Sequence, residues 1–147
     1  MTSLLLLTYS APTIELDKGD VLINQGESDG NLYVLDAGTL SVERDGVRIA
    51  TIDQFDSLIG EMSLLLGKPH SATVRAEGKA RVRVVRDAML VLERHPLITL
   101  RLATLLCQRL DSTSALLAGL SHDGTTREVE QGLLGRLRSS LLGHRTT

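Results

Sequence analysis

A chain of 147 residues, 42% hydrophobic and 23% charged, can bury one core without disulfides or a structural metal, and a composition this near the globular average excludes a disordered or fibrous chain. A formal net charge of -2 offers no clustered cations to phosphate polymers or anionic membranes. With no Trp, one Phe and two Tyr, there is also no aromatic platform for stacking single-stranded nucleic acid.

The opening Met1 to Leu7 carries a leucine run but no basic residue and is too short to span a bilayer, so residues 1–12 read as a lead. Thr13 to Leu16, Val21 to Ile23 and Asn31 to Asp36 are short apolar or alternating runs. They are cut by Lys18-Gly19-Asp20 and by Gly26-Glu27-Ser28-Asp29-Gly30, a strand-and-turn pattern. Thr39 to Arg44 and Val47 to Ile52 flank Asp45-Gly46, a dipeptide suited to the positive φ angles of a tight hairpin. Gly60 to Gly67 interrupts the strands with one or two helical turns, and Ser71 to Ala76 and Ala80 to Val85 resume them. Many short strands with regular turns predict a mainly β fold with flanking α elements: an antiparallel β-roll, a jelly-roll-like barrel, over 13–85.

After Arg86 the period changes. Asp87 is a candidate N-cap for a short helix ending near His95-Pro96, and Pro96 suits the first turn of the next. From Leu97 to about Leu120, leucines recur at helical offsets and make a broad apolar face, so a homodimer through 97–120 is an expected partner. The lone Cys107 in this run reads as a small buried hydrophobe and fits a reducing, cytoplasmic setting. Ser121 to Thr126 reads as a break, Arg127 to Leu142 as a last amphipathic stretch, and the rest as a frayed tail. The expected organisation is a lead (1–12), one domain (13–120, with C-terminal helices over 86–120) and a helical extension (121–147).

One stretch carries chemistry. In Gly60-Glu61-Met62-Ser63 through Pro69-His70-Ser71-Ala72-Thr73-Val74, a glycine opens a short helix, a carboxylate follows, and hydroxyls return on a strand. Glycine permits close backbone approach, and helix-start amides point at an anion, so the turn can cradle one phosphate. A carboxylate would repel that phosphate, so Glu61 fits only opposite a neutral hydroxyl such as a ribose 2′-OH. The same residues also fit an ordinary turn in which Glu61 favours a helix N-terminus.

From about Ile14 to Leu117 the sequence resembles the cyclic-nucleotide-binding domains of catabolite-activator-type regulators, cyclic-nucleotide-gated channels and cyclic-nucleotide-dependent kinases. Lys18-Gly19-Asp20 with Asn24-Gln25-Gly26-Glu27, Leu32-Tyr33-Val34 with Ala37-Gly38, and the cassette Gly60 to Leu64 with Pro69 to Val74 carry the likeness. The resemblance implies a β-roll whose cassette binds cyclic AMP or cyclic GMP. Gly60, Met62, Ser63 and Ala72 would line the sugar-phosphate, Glu61 would take the 2′-OH, and Ser71 the phosphate. Thr113 and Ser114, on a helix similar to the long helix of catabolite activators, would read the base across a dimer; mid-helix Thr and Ser also simply bond the preceding turn.

The departure is His70, where the family places an arginine. Arginine brings a permanent charge and a planar fork, whereas histidine, ordinarily titrating near pH 6.5, offers one partly charged contact. Losing a charge-assisted bond would cost on the order of 1.5–3 kcal/mol. If His70 faces the phosphate, affinity rises as pH falls below about 7. Ile59, where an aromatic often precedes the Gly-Glu pair, is a packing change. Lys68 and Arg75 are candidates to replace the missing charge, or solvated surface groups.

His95, His122 and His144 have no spacing that gathers a metal site, and no nucleophile stands with a base, so no metal, cofactor or enzyme activity is expected. No DNA partner is expected from this chain, which has no room for a helix-turn-helix with a basic recognition helix after the long helix. The expected function is a cyclic nucleotide sensor that moves its C-terminal helices, with a channel or transporter as a candidate effector. The alternative is a degenerate fold that no longer binds nucleotide and serves as an interaction or dimerisation module.

Overall fold

The computed structural model describes residues 3–122 of the chain. The lead contains a short helix, α1 (Leu4–Leu7), whose start is capped by the Ser3 hydroxyl accepting from the Leu6 amide at 3.1 Å. Leu4 and Leu5 are buried and α1 lies against β3 (Leu32–Ala37), so the leucine run of the lead works as packing. The Leu5 amide donates to Asp56 Oδ1 at 2.8 Å, which pins α1 to the loop after the second hairpin strand.

The mainly β architecture with flanking helices is present as two four-stranded antiparallel sheets rather than one closed barrel. One has the order β1 (Thr13–Leu16), β8 (Ala80–Val85), β3, β6 (Leu58–Ile59). The other has the order β2 (Val21–Ile23), β7 (Thr73–Ala76), β4 (Leu40–Arg44), β5 (Val47–Ile52). Inward positions of both sheets, among them Leu16, Tyr33, Leu35, Val82 and Val84 from the first and Ile23, Leu40, Val74 and Ala76 from the second, form one core. Period-2 alternation explains this: on β8, Ala80, Val82 and Val84 are buried while Arg81 is exposed. The β4–β5 hairpin turns on Asp45 and Gly46, with φ 52 and 76, the two positive values of a primed two-residue turn, and Arg44 pairs with Val47.

α2 (Glu61–Leu66) lies between β6 and β7 and belongs to the cassette, and among the described residues two further helices follow β8. Asp87 precedes α3 (Ala88–Arg94) as expected, but at φ 47 its side chain makes no cap. The Ala88 amide instead donates to the Gly30 carbonyl, which ties α3 to the β2–β3 loop. A new helix, α4 (Pro96–His122), starts at the proline, whose missing N–H costs nothing in a first turn. Thr99 Oγ1 donates to the Leu92 carbonyl at 2.5 Å across the α3–α4 joint.

The chain divides into a compact unit through Leu102 and a second unit from Ala103. Ile98 and Leu102 are buried, whereas Leu110, Leu116 and Leu120 are exposed. Cys107 is exposed too, against the expectation of a buried hydrophobe, because α4 beyond Leu102 leaves most of its side chains open. Ser121 and His122 continue α4, and the rest of the expected break over 121–126 lies outside the described residues. The expected stretch 127–142 and the tail lie outside the described residues.

Candidate functional site

Gly60 stands where β6 gives way to α2, at φ 90. A Cβ placed there would sit 3.3 Å from the Asn31 carbonyl oxygen, 3.5 Å from Ile23 Cδ1 and 3.6 Å from His70 Cε1. The end of β2, the loop entering β3 and the segment entering β7 thus converge on this one residue, which only a glycine fits without strain. No side chain caps α2, and Glu61 in its first turn suits the helix dipole while being only 6% exposed. Gly67, also left-handed, ends the helix; the Lys68 amide donates to the Ser63 carbonyl and Ser63 Oγ donates back to the Lys68 carbonyl at 2.5 Å. Ser63 therefore braces the cassette.

The cassette is laced to the β2–β3 loop. The Gly26 amide donates to the His70 carbonyl and the His70 amide to the Glu27 carbonyl, each at 2.8 Å, and the Gln25 amide reaches Thr73 Oγ1 at 3.0 Å. These bonds hold the His70 ring inside, with its side chain 6% exposed. Its Nε2 has no hydrogen-bond partner but lies 3.4 Å from Asp29 Oδ1, an ion pair only when the ring carries a proton.

Asp29 is itself a hub. Oδ1 accepts from the Asn31 amide at 3.0 Å and Oδ2 from the Tyr33 hydroxyl at 2.7 Å, while Asn31 Nδ2 donates to that hydroxyl at 3.3 Å. Burial on its own would raise the Asp29 carboxyl, but the Asn31 amide, the Tyr33 hydroxyl and the neighbouring His70 outweigh it and hold its pKa below the ordinary value. Burial, with the adjacent Asp29 and against the Asn31 amide, pushes Tyr33 up to about 12. A phenol that ionises later folded than unfolded stabilises the fold fully below pH ~10 and loses that contribution as pH rises toward 12. The urea midpoint of the parent protein should therefore fall more between pH 8 and pH 11.5 than that of Tyr33→Phe; equal falls would remove this role for the hydroxyl.

Gly60, Glu61, Met62, Ser63, His70, Ser71 and Ala72 share this cassette, with Met62 and Ser71 exposed and Ala72 half-buried. Thr113 and Ser114 are exposed in the second unit, where Thr113 Oγ1 donates to the Arg109 carbonyl at 2.8 Å, the back-bond of a mid-helix threonine. Arg75 is committed elsewhere: Nε lies 3.4 Å from Glu43 Oε1 and the guanidinium donates to the Gly19 carbonyl at 2.9 Å. Sequence reasoning missed Asp29, Asn31 and Tyr33 as site neighbours. Asp29 was read only as part of a turn, Asn31 as the start of a strand, and Tyr33 as part of the likeness carried by Leu32-Tyr33-Val34. Among the described residues no group of His, Cys, Asp and Glu could hold a metal ion, and no helix is long and apolar enough to cross a membrane.

Comparison with known proteins agrees with this geometry. A family model described as the cyclic nucleotide-binding domain matches residues 13–91. The cAMP-dependent protein kinase type II regulatory subunit of Drosophila melanogaster is 36% identical over 63 residues, 43% of this chain and 16% of that protein. A cAMP-dependent protein kinase regulatory subunit of Debaryomyces hansenii is 36% identical over 59 residues, 40% of this chain and 13% of that protein. The chain thus spans less than a fifth of the length of these two relatives. Among solved structures, the catabolite activator protein of Thermus thermophilus superposes with a TM-score of 0.64 at 27% identity, over 79% of this chain and 57% of that one. The N-terminal domain of a Streptomyces coelicolor transcriptional regulator gives 0.58 at 27% identity, over 76% and 81%. With its two sheets, its cassette helix and a match over more than half its length, the chain belongs to the cyclic nucleotide-binding domain family.

Proposed function

We propose that this chain binds a cyclic nucleotide monophosphate, cyclic AMP, in the Gly60–Ala72 cassette, and transmits occupancy to its C-terminal helices without performing chemistry on the ligand. The observation that carries the proposal is Glu61. It is a carboxylate only 6% exposed, placed one residue after a left-handed glycine at an uncapped helix start, so an anion and a neutral hydroxyl can be met side by side. The ring phosphate would take the backbone around Gly60 with Ser71, and the ribose 2′-OH would take Glu61. Both kinase relatives are cAMP-dependent by name, which favours cyclic AMP over cyclic GMP.

Coupling would be a shift between two arrangements of the cassette and helices, biased by whatever differential affinity the ligand has for them. The path runs through helix packing, since α2 touches α3 and α3 meets α4 at Thr99. Exposed Leu97, Leu100, Leu110, Leu116 and Leu120 support pairing of α4 between two copies as part of the same proposal, with Thr113 and Ser114 reading the base across that pair. A channel or transporter as effector is likewise proposed.

Calorimetric titration with cyclic AMP and cyclic GMP tests the proposal, with Glu61→Ala as its control. Removing a charged acceptor from a hydroxyl should weaken cyclic AMP binding by about 10- to 150-fold. Binding of the variant as tight as that of the parent would show that the sugar is not held by Glu61.

A further inference from the structure

The geometry points to Asp29 as a further positioning residue of this site, one that holds the His70 ring behind the cassette and makes ligand binding take up a proton. The inference rests on the cassette binding a cyclic nucleotide, and adds how that binding is regulated.

His70 occupies the position at which the family's arginine would meet the phosphate. Its ring is walled in, with the Cε1 edge toward Gly60 and Nε2 toward Asp29 Oδ1 at 3.4 Å. With Nε2 aimed at a carboxylate, a neutral ring carries its proton there and leaves Nδ1 an acceptor, so only an imidazolium can also offer a donor to a phosphate. Asp29 is not free to turn away. The Asn31 amide fixes Oδ1 and the Tyr33 hydroxyl fixes Oδ2, and Tyr33 is anchored on β3 opposite Val84 of β8.

A carboxylate set behind an imidazole orients the ring and favours its charged form, and a second anion arriving at the cassette favours it further. The phosphate and Asp29 would then share one imidazolium between them. Arginine brings its charge permanently; here the charge is acquired with the ligand.

The other ionisable groups around the ring fit this assignment. Glu27 offers His70 its backbone carbonyl rather than a charge, and its carboxylate accepts from Asn24 Nδ2. Glu61 opens α2 beside Gly60. Arg86 acts on Tyr33, and Lys68 is exposed at the far end of the cassette loop. Arg48, Arg75, Arg81 and Arg83 are engaged outside the cassette, by Glu77, by Glu43 and the Gly19 carbonyl, by Glu15, and by the Tyr9 carbonyl.

The test is calorimetric titration of the full chain with cyclic AMP at several pH values from 6 to 8.5, in buffers of low and high ionisation enthalpy, which counts protons taken up per ligand. In the parent, affinity should rise toward low pH by as much as about tenfold per pH unit, with up to one proton bound near the alkaline end of the range. His70→Gln should bind weakly, with no proton uptake and a flat profile. His70→Arg should bind more tightly than the parent at pH 8 by roughly 10- to 150-fold, with no uptake, which also shows that the cassette remains folded. Asp29→Asn keeps an acceptor for its neighbours but should shift the profile to lower pH and reduce uptake at pH 8. Binding by the parent with no proton uptake, or Asp29→Asn retaining the parent's profile, would overturn the inference while leaving the cyclic nucleotide reading intact. No binding by the parent or by His70→Arg at any pH would overturn that reading, and the inference with it.

Discussion

Leu40→Ala should destabilise the roll by about 2–5 kcal/mol, because it removes three carbons from a site that cannot collapse around the loss. Leu40 is 0% exposed and opens β4, where it pairs with Ile52 on one side and Ala76 on the other. Its side chain enters the core common to both sheets, and few neighbours there are large enough to fill in, since Tyr33 is the only aromatic in that core. A domain of this size has only roughly 5–15 kcal/mol in total, so a fall in Tm of roughly 5–20 °C is expected. Urea denaturation should show a lower midpoint with an unchanged m value. Val47→Ala on the exposed strand β5 should stay within about 0.5 kcal/mol of the parent, and a similar loss in both variants would contradict a core that closes on Leu40.

Gly38→Ala is expected to be as damaging, for a different reason. The residue turns β3 into β4 at φ 92, and a Cβ there would lie 2.4 Å from the Lys79 carbonyl oxygen and 2.7 Å from Ala80 Cα. Both obstacles are backbone, so no side-chain rotation relieves them. The left-handed conformation costs an alanine about 1–2 kcal/mol and overpacking typically about 1–3 more, for roughly 2–5 kcal/mol together. Ala80 begins β8, which pairs with both β1 and β3, so the displacement reaches the strand that carries Tyr33 and braces Asp29. Gly78→Ala makes the comparison. No atom lies within 4 Å of its added Cβ, and Gly78 has no left-handed φ, so this variant should be neutral or slightly stabilised. Equal urea midpoints for the two variants would show that the β3–β4 corner is not packed on the start of β8.

The strands were legible where side-chain alternation met firm punctuation. β1 and β5 end before Asp17 and Asp53, β2 opens after Gly19-Asp20, and the Asp45-Gly46 hairpin follows from the positive φ that those two residues tolerate. The cassette was legible because its residues are contiguous and the spacing of Gly60, Glu61 and Pro69 is itself a pattern. What sequence could not reveal were pairings between distant segments. Asp29 and His70 meet only because the Gly26–His70 and His70–Glu27 backbone bonds clamp one loop against another. Elements too short to show a period, α1 and β6, were also invisible, although both are packed. Cys107 was expected to be buried on helical periodicity alone, and periodicity shows that a face exists without showing what covers it.

The most direct test is an amide-resolved NMR titration of the chain with cyclic AMP up to millimolar concentration. Saturable shifts confined at first to Gly60, Glu61, Met62, Ser71 and Ala72, with Asp29 and Tyr33 following through the loop, are the expected result. Backbone signals of the cassette that stay still while the nucleotide reaches millimolar levels would contradict the account.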